Sequence, residues 1–280
     1  MRMCLFFFIN YPMVLFIQDI IDILQEIAPV ELAESWDNVG LLVGNPNAEA
    51  ESLLVALDPT TTLLDEAEAR GANVVITHHP AIFHPLKDLR TDHPIGRFLA
   101  KAIQKNIHVI ACHTNLDSAA GGVSDILAAR LGLTDVVPLV PSRGDGASSC
   151  GMGRLGQCSK PMSPEECVED LRRACSAPWL LEAGNRPAQV NTIAVCGGSC
   201  SEFAETAMLA GADLFVTAEV KHSIARWAEE TGFWIIDGGH FATEQLAIVP
   251  LQKRLQEEMA HRNLDNNVYT ARQKPPLTMA

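Results

Sequence analysis

The hydrophobic pattern of the chain predicts short strands that alternate with helices. Apolar runs such as 53–57 and 193–196 show no alternation of apolar and polar positions, which is typical of strands buried on both faces. Stretches rich in alanine and glutamate follow these runs and end at Gly71 and Gly211, and glycine commonly terminates helices. Because strands that alternate with helices form parallel-type sheets, the pattern predicts an α/β fold.

The chain contains an internal repeat. Residues 53–79 and 192–222 share the order strand, small polar turn, helix, Gly-Ala, strand, and each copy continues into a further helix and a third strand. The repeat predicts two similar α/β halves, whose ligands should lie at the carboxyl ends of the strands. We predict three parts: a first half over 13–140 that a segment from the C-terminal part completes, a linker and small α+β insert over 141–190, and a second half over 191–280.

The first twelve residues, MRMCLFFFINYP, are mostly apolar and could be a signal peptide or a membrane anchor. The apolar run is too short to span a bilayer, Asn10 interrupts it, and no small-residue cleavage site follows. We therefore interpret residues 1–12 as an N-terminal extension before a start at Met13. The sequence predicts no transmembrane helix and no membrane partner.

Charge and cysteine content narrow the class of protein. With 21 basic and 34 acidic residues the formal net charge is −13, which disfavours binding to nucleic acid. A small phosphate-bearing ligand remains compatible with this charge if a bound cation supplies a local positive site. The eight cysteines include no C-x-x-C pair, and we interpret them as reduced thiols of a cytoplasmic protein.

Polar clusters follow the predicted third strand of each half. His113 and Asp117 follow the strand of the first half, and His240 and Glu244 follow that of the second. The two His-x-x-x-carboxylate pairs are expected to occupy equivalent places in the repeat. Each histidine taken alone is most simply an ordinary hydrogen-bonded side chain, but the paired arrangement favours metal binding.

The sequence VVITHHP, residues 74–80, adds His78 and His79 at the end of another strand. Adjacent side chains of a strand point to opposite faces, but at its end both can turn toward one site. Imidazole and carboxylate groups suit Zn, Mn, Fe or Co, and a carboxylate can bridge two ions. Two such ions can activate water and clamp a phosphate or carbonyl oxygen. The residues therefore predict a dinuclear metal site between the halves.

The stretch ESWDNVGLLVG, residues 34–44, is the other unusual segment. We expect a structural loop in which Asp37 or Asn38 forms an Asx-type turn. The alternative is a loop that closes over a ligand, with Trp36 as a stacking face.

The chain resembles the NIF-three-like dinuclear-metal family, whose members are often labelled GTP cyclohydrolase 1 type 2 homologues. The resemblance covers the chain from about Met13 to Gln252 and rests on the motifs WDNVGLLVG, ITHHPAIF, ACHTNLD, GMGRLG and DGGHFATE, which occur in this order. The chain departs from the family at Cys200, where glycine is frequent, and at Ser223, near the place of a family histidine.

The resemblance implies specific roles for the clustered residues. Two divalent metal ions per chain would be held by His78, His79, Asp117, His240 and Glu244. Glu244 would bridge the two ions, and His113 would assist proton transfer beside them. The resemblance also implies a toroidal homohexamer whose metal sites face an internal cavity.

Two functions fit these expectations. The first is a metal-dependent hydrolase that acts on a nucleotide or phosphoester, with the ring opening of GTP suggested by the family label. The alternative is a non-catalytic protein, either a metal-binding hexameric scaffold or a metal-delivery or interaction protein. Turnover that a Glu244→Gln variant loses would separate the two.

Overall fold

The strands that carry the predicted site form two sheets in a computed structural model, which describes residues 14–142, 149–177 and 179–279. The predicted N-terminal extension, residues 1–12, lies outside the described residues. The strands are β1 (Gly40–Val43), β2 (Leu53–Ala56), β3 (Val74–Thr77), β4 (His108–Ala111), β5 (Thr134–Pro141), β6 (Gly151–Met162), β7 (Leu181–Ala183), β8 (Val190–Ser199), β9 (Leu214–Ala218), β10 (Trp234–Asp237) and β11 (Val268–Thr270).

Helices connect most of these strands. They are α1 (Ile17–Ile27), α2 (Thr61–Ala69), α3 (Pro94–Gln104), α4 (Thr114–Ser118), α5 (Val123–Arg130), α6 (Pro164–Cys175), α7 (Ala204–Leu209), α8 (His222–Thr231), α9 (His240–Glu244) and α10 (Ile248–His261). None of the helices in the described ranges has the length and apolar character needed to cross a bilayer. The seven cysteines within those ranges are free thiols.

Each of the two sheets contains a set of three parallel strands. The first has the strand order β1-β4-β3-β2-β11, in which all neighbours are parallel except the antiparallel edge strand β1. The second has the order β5-β6-β8-β9-β10-β7, with β8, β9 and β10 parallel and the other pairs antiparallel. Each sheet therefore contains three consecutive parallel strands from one copy of the repeat. The predicted α/β fold with two similar halves is confirmed.

Helices on both faces of each sheet explain why the strands lack alternation. In the first half, α1 and α10 pack on one face through residues such as Ile20 and Leu255, and α2 and α3 pack on the other through Leu64 and Phe98. Every residue of β2, β3 and β4 is consequently buried. In the second half α5 and α6 cover one face, and α7 and α8 cover the other.

The sheets draw strands from more than one predicted segment. β11, near the C-terminus, pairs with β2 and so belongs to the first sheet. All but the last residue of β5 lies within the predicted first half, but β5 pairs with β6, and both belong to the second sheet together with β7. The domain limits at 140 and 191 stay a prediction, while the strand pairing shows that the two sheets interleave along the chain.

Candidate metal centre

Three strand ends bring the five predicted metal ligands together. His78 and His79 directly follow β3, Asp117 lies on α4 after β4, and His240 and Glu244 form the two ends of α9 after β10. The first three residues come from one sheet and the last two from the other, so the cluster lies between the two halves.

The ligand atoms fall into overlapping groups, each of which could hold a metal ion. One group is His78, Asp117 and Glu244, and a second is His79, His240 and Glu244. Within each group the candidate atoms lie within 4.8 Å of one another. A third group joins His78 and His79 to His113. Glu244 is the carboxylate that the first two groups share.

Glu244 is buried at the centre of the cluster, with only 3% of its surface exposed. Its Oε2 atom lies 3.0 Å from Nε2 of His79 and 3.0 Å from Nε2 of His240. Its Oε1 atom lies 3.7 Å from Nε2 of His78. One carboxylate oxygen therefore faces each group, which is the arrangement that a bridging ligand requires.

Hydrogen bonds on the opposite ring nitrogen orient each of the three histidines. Nδ1 of His78 donates to the carbonyl of Cys112 at 2.9 Å. Nδ1 of His79 donates to Oδ1 of Asp58 at 2.8 Å, and Nδ1 of His240 donates to Oε1 of Glu219 at 2.9 Å. Because Nδ1 carries the proton, each Nε2 presents its lone pair to the centre, as metal-binding histidines do.

The cluster leaves buried polar atoms without hydrogen-bond partners. These atoms are Nε2 of His78, Oδ1 of Asp117 and Oε2 of Glu244. Nε2 of His79 also faces Nε2 of His240 at 3.2 Å. Lone pairs that face each other in a buried site are costly unless a proton or a cation lies between them. The nitrogen and oxygen donors present here fit a borderline divalent ion.

The pKa values of the cluster reflect the close packing of carboxylates around the imidazoles. Burial lowers the pKa of His79, but the neighbouring carboxylates of Asp58 and Glu244 outweigh burial and raise the pKa to about 10. The pKa of His240 rises to about 9, because Glu244 and Glu219 likewise outweigh burial. Burial raises the pKa of Asp117 to about 6. Protons on the imidazoles thus compete with a metal ion for the same positions.

Burial alone would raise the pKa of Glu244, but the neighbouring imidazoles of His240, His78 and His79 hold its pKa well below its usual range. For His78, burial lowers the pKa, and the charges of Asp117 and Glu244 reverse the direction so that the net shift is upward. Glu244 is therefore the ionised centre of the cluster, and it attracts positive charge to both groups.

A glycine makes room for this carboxylate. Gly198, at the end of β8, has a φ of +71°, and a Cβ atom there would overlap Oε1 of Glu244. Its backbone N–H donates to Oγ1 of Thr243 at 3.1 Å, which ties the strand end to α9. Any larger residue at this position would displace Glu244 from the centre.

His113 is positioned by a residue that sequence reasoning had placed in a structural loop. Nδ1 of His113 donates to Oδ1 of Asp37 at 2.8 Å, and Oδ2 of Asp37 accepts from the backbone N–H and the hydroxyl of Thr114. Burial raises the pKa of Asp37, but these hydrogen bonds outweigh it and lower the pKa strongly. Asp37 also accepts a hydrogen bond from the N–H of Asn38. The same carboxylate therefore stabilises the loop and orients His113.

The two His-x-x-x-carboxylate pairs are not at equivalent positions, contrary to the sequence expectation. Ala111 of β4 and Asp237 of β10 occupy the same place in their sheets, because each is opposite a threonine of the middle strand. His113 stands two residues after the strand, whereas His240 stands three residues after it. His113 therefore precedes helix α4, while His240 is the first residue of α9.

The cluster lies at the side of a cavity of about 760 Å³. Two exposed aromatic residues, Trp36 and Phe83, form part of its wall, with their ring centroids 5.7 Å apart. Trp36 also lies 6.2 Å from the ring of His113. Within the described residues Lys221 is the one lysine or arginine that lines this cavity. A second cavity, of about 270 Å³, lies against His79 and His240.

Four residues of the site were missed by sequence reasoning or given no role in it: Asp37, Asp58, Gly198 and Glu219. Asp58 stands two residues after the end of β2 and Gly198 lies in the end of β8, so their places at the ligand-bearing edge of the sheets were visible in the sequence. Their specific partners were not, because those contacts join segments far apart in the chain.

Comparison with known proteins gives a consistent match. Residues 15–276 match the family model described as Duf34/NIF3 (NGG1p interacting factor 3). A protein of Clostridium perfringens named GTP cyclohydrolase 1 type 2 homolog is 33% identical over 243 residues, which cover 87% of this chain and 92% of the relative. A protein of Streptomyces coelicolor with the same name is 35% identical over 231 residues, covering 81% of each chain.

A solved structure supports the fold. The crystal structure of a Bacillus cereus protein related to NIF3 superimposes with a TM-score of 0.90, covering 96% of this chain and all of the other. The two sequences are 24% identical, so this likeness is evidence for the fold alone.

Proposed function

This chain belongs to the Duf34/NIF3 family, and from that premise we propose that it is a dinuclear-metal hydrolase that acts on a nucleotide or phosphoester. The observation that carries the proposal is the position of Glu244. This buried carboxylate is common to two ligand groups, and it lines a cavity large enough for a nucleotide-sized ligand. The name GTP cyclohydrolase 1 type 2 homolog, which relatives carry, supports GTP as the first substrate to test.

In this proposal each ion has its own ligands. One ion would be held by His78 and Asp117, the other by His79 and His240, and Glu244 would serve both. The donor set suits Zn, Mn, Fe or Co, which take mixed imidazole and carboxylate ligands. The orphaned atoms of His78, Asp117 and Glu244 support this assignment, because a cation would satisfy all three.

When bound, two such ions supply Lewis-acid activation of a water molecule and of a substrate oxygen. The side chains around them have separate tasks. Asp37 fixes Nδ1 of His113, so Nε2 is the atom of His113 that is left to accept or donate a proton in the cavity. Trp36 and Phe83 offer a stacking wall for a planar base. Lys221 offers positive charge to a phosphate.

We also propose a toroidal homohexamer, on the family resemblance alone, and a cytoplasmic location, on the cysteine pattern. Light scattering of the purified protein would test the assembly. A mass near six times 30.4 kDa is expected, whereas a monomer at micromolar concentration would contradict the proposal.

The second candidate function is a non-catalytic metal-binding scaffold or a metal-delivery protein. One observation favours it: the matching family description names an interacting factor. In that case the metal centre would stabilise the assembly or carry the ion, and the cavity would need no turnover.

Elemental analysis of the purified protein together with a hydrolysis panel separates the candidates. The panel should hold GTP, other nucleoside triphosphates and simple phosphoesters, assayed with each of the four metals. Two ions per chain and turnover that Glu244→Gln abolishes are expected of the hydrolase. Two ions per chain without turnover of any compound would favour the scaffold, and no bound metal would contradict both.

A further inference from the structure

One side chain of the C-terminal segment, Gln273, contacts the turn that follows β2 beside the metal centre. β11 runs parallel to β2, and the N–H of Ala271 continues the pairing by donating to the carbonyl of Val55 at 2.9 Å. Two residues later, Oε1 of Gln273 accepts from the backbone N–H of Leu57 at 2.8 Å and from that of Asp58 at 3.0 Å. Nε2 of Gln273 donates to the carbonyl of Asp58 at 2.7 Å. One side chain thus makes three hydrogen bonds to the turn after β2.

The same turn holds His79. The carbonyl of Leu57 accepts from the backbone N–H of His79 at 2.9 Å, and the carboxylate of Asp58 accepts from its Nδ1 at 2.8 Å. Main chain and side chain of His79 are therefore both fixed by residues that Gln273 fixes in turn. Nε2 of His79 is the atom that faces Glu244 and His240.

His78 does not depend on this turn for its ring orientation. Its Nδ1 donates to the carbonyl of Cys112, which follows β4. Gln273 should consequently act on one ligand group, that of His79 and His240, and leave the group of His78 and Asp117 intact.

We propose that Gln273 is a positioning residue of the metal centre, which sets the affinity for the ion bound by His79 and His240 by holding the Asp58 turn. This inference rests on the proposed metal-binding function. Residues that orient metal-binding histidines typically change metal affinity about 10–100-fold when they are replaced. Gln273 acts through Asp58 and not directly on the histidine, so we expect a loss of about tenfold.

The chain offers a matched control. Gln252 on α10 also anchors the C-terminal segment, since its Nε2 donates to the carbonyl of Val268 at 2.9 Å. Gln252→Ala removes a glutamine contact to β11 without touching the Asp58 turn. Gln273→Glu is the conservative variant, because a glutamate oxygen can still accept from the two N–H groups while the donation to the Asp58 carbonyl is lost.

The test is titration of the chelator-treated full-length protein with Co²⁺, followed by visible absorption, which reports the ligand geometry of each ion. Wild type and Gln252→Ala should take up two equivalents with the same spectrum. Gln273→Ala should bind one equivalent normally and the other about tenfold more weakly, with an altered band for the weak ion. Gln273→Glu should lie between the two. Thermal unfolding of all four proteins before metal addition identifies any variant that fails to fold.

Several outcomes would overturn the inference. Two unchanged equivalents in Gln273→Ala would show that the turn needs no support from the C-terminal segment. An equal loss in Gln252→Ala would show a general effect of the C-terminal strand. Wild-type protein that takes up no Co²⁺ would instead contradict the proposed metal centre itself.

Discussion

The two halves of the protein share one frame but contribute different chemistry to the site. Counted along the chain from the regular pairs Val55–Ile76 and Val195–Val216, Asp58 of the first half and Gly198 of the second stand at the same position, and so do His79 and Glu219. Asp58 orients His79, whereas Gly198 has no side chain and therefore leaves space for Glu244. The first half supplies His78, His79 and Asp117, and the second supplies His240, the central carboxylate and the room for it. Neither of the two groups that contain Glu244 is complete within one half.

The connections after the third strands have the same length, but the histidine stands one residue later in the second half than in the first. Gly238 and Gly239 follow β10, and Gly239 has a φ of +81°, so α9 begins directly at His240. The first half has Cys112 and His113 in these places, and its helix begins at the next residue. His240 therefore lies on the same helix face as Glu244, while His113 remains outside α4 and turns to Asp37. Repeated spacing in a sequence does not guarantee repeated geometry.

The largest expected effect comes from Glu244. Glu244→Gln replaces one carboxylate oxygen by an amide nitrogen, which is a donor and cannot bind a metal. Both ligand groups should be weakened, and any hydrolytic turnover should fall by orders of magnitude. Asp117→Asn changes a residue of one group and should cost one ion only. Metal content and turnover of the two variants should be measured in parallel.

If Glu244→Gln and Asp117→Asn lost the same number of ions, Glu244 would not be the ligand that the two groups share. If Glu244→Gln kept two tightly bound ions and full turnover, Glu244 would be better described as a group that orients the neighbouring histidines.

The next largest effect concerns His113 and His240, which the repeat in the sequence predicted to be equivalent. His240→Gln should lose metal, because its Nε2 is a candidate ligand beside Glu244. His113→Gln should keep both ions and lose about 10²–10⁴-fold in turnover, which is typical for removal of a general acid or base. The measurement is turnover of the most active compound of the hydrolysis panel at full metal occupancy.

His113 also lies close to His78 and His79, so loss of an ion from His113→Gln would assign it as a ligand. Asp37→Asn is a milder variant that tests the same role of His113. It should weaken the hold on Nδ1 of His113 without changing metal content, and it should lower turnover less than His113→Gln does.

Much of this architecture could be predicted from the sequence. The non-alternating runs around Leu53 and Ile193 correspond to the buried strands β2 and β8, because helices cover both faces of each sheet. The strand-end positions of His78 and His240 placed both at the site, since the carboxyl ends of parallel strands meet at one edge. These features depend on local pattern and on chain topology, which the sequence displays directly.

Contacts between distant segments could not be predicted in the same way. Asp37 bonds to His113 across 76 residues, and Gln273 bonds to the turn at Asp58 across 215 residues. The sequence of residues 34–44 gave good reason to expect a structural loop, and nothing local distinguishes an aspartate that holds a turn from one that also orients a histidine. The structural shift between His113 and His240 required the strand register, which no spacing in the sequence records.

A smaller effect is expected from the glycine that makes room for Glu244. Gly198→Ala adds a Cβ that overlaps Oε1, so the carboxylate must move and both ligand groups should bind metal more weakly, by about 100-fold. Gly211→Ala is the matched control, because Gly211 has a φ of +86° with no atom within 4 Å of the added Cβ. Both variants should lose about 1–2 kcal/mol of stability from the left-handed backbone. Calorimetric titration with Zn²⁺ should separate them, and equal affinities in the two variants would refute the steric role of Gly198.

The smallest effect is expected from Asp58 and Glu219, the carboxylates that orient His79 and His240. The difference in their exposure predicts which replacement weakens metal binding more. Asp58 and Glu219 each accept a hydrogen bond from Nδ1 of a histidine, at 2.8 and 2.9 Å. The Asp58 side chain is 33% exposed and the Glu219 side chain is 59% exposed. Water can therefore replace the lost acceptor more easily in Glu219→Ala than in Asp58→Ala. We expect the ion at His79 and His240 to bind about 10–100-fold more weakly in Asp58→Ala and only a few-fold more weakly in Glu219→Ala. The reverse order in a Zn²⁺ competition assay would mean that the second half, and not the first, controls the geometry of this ion.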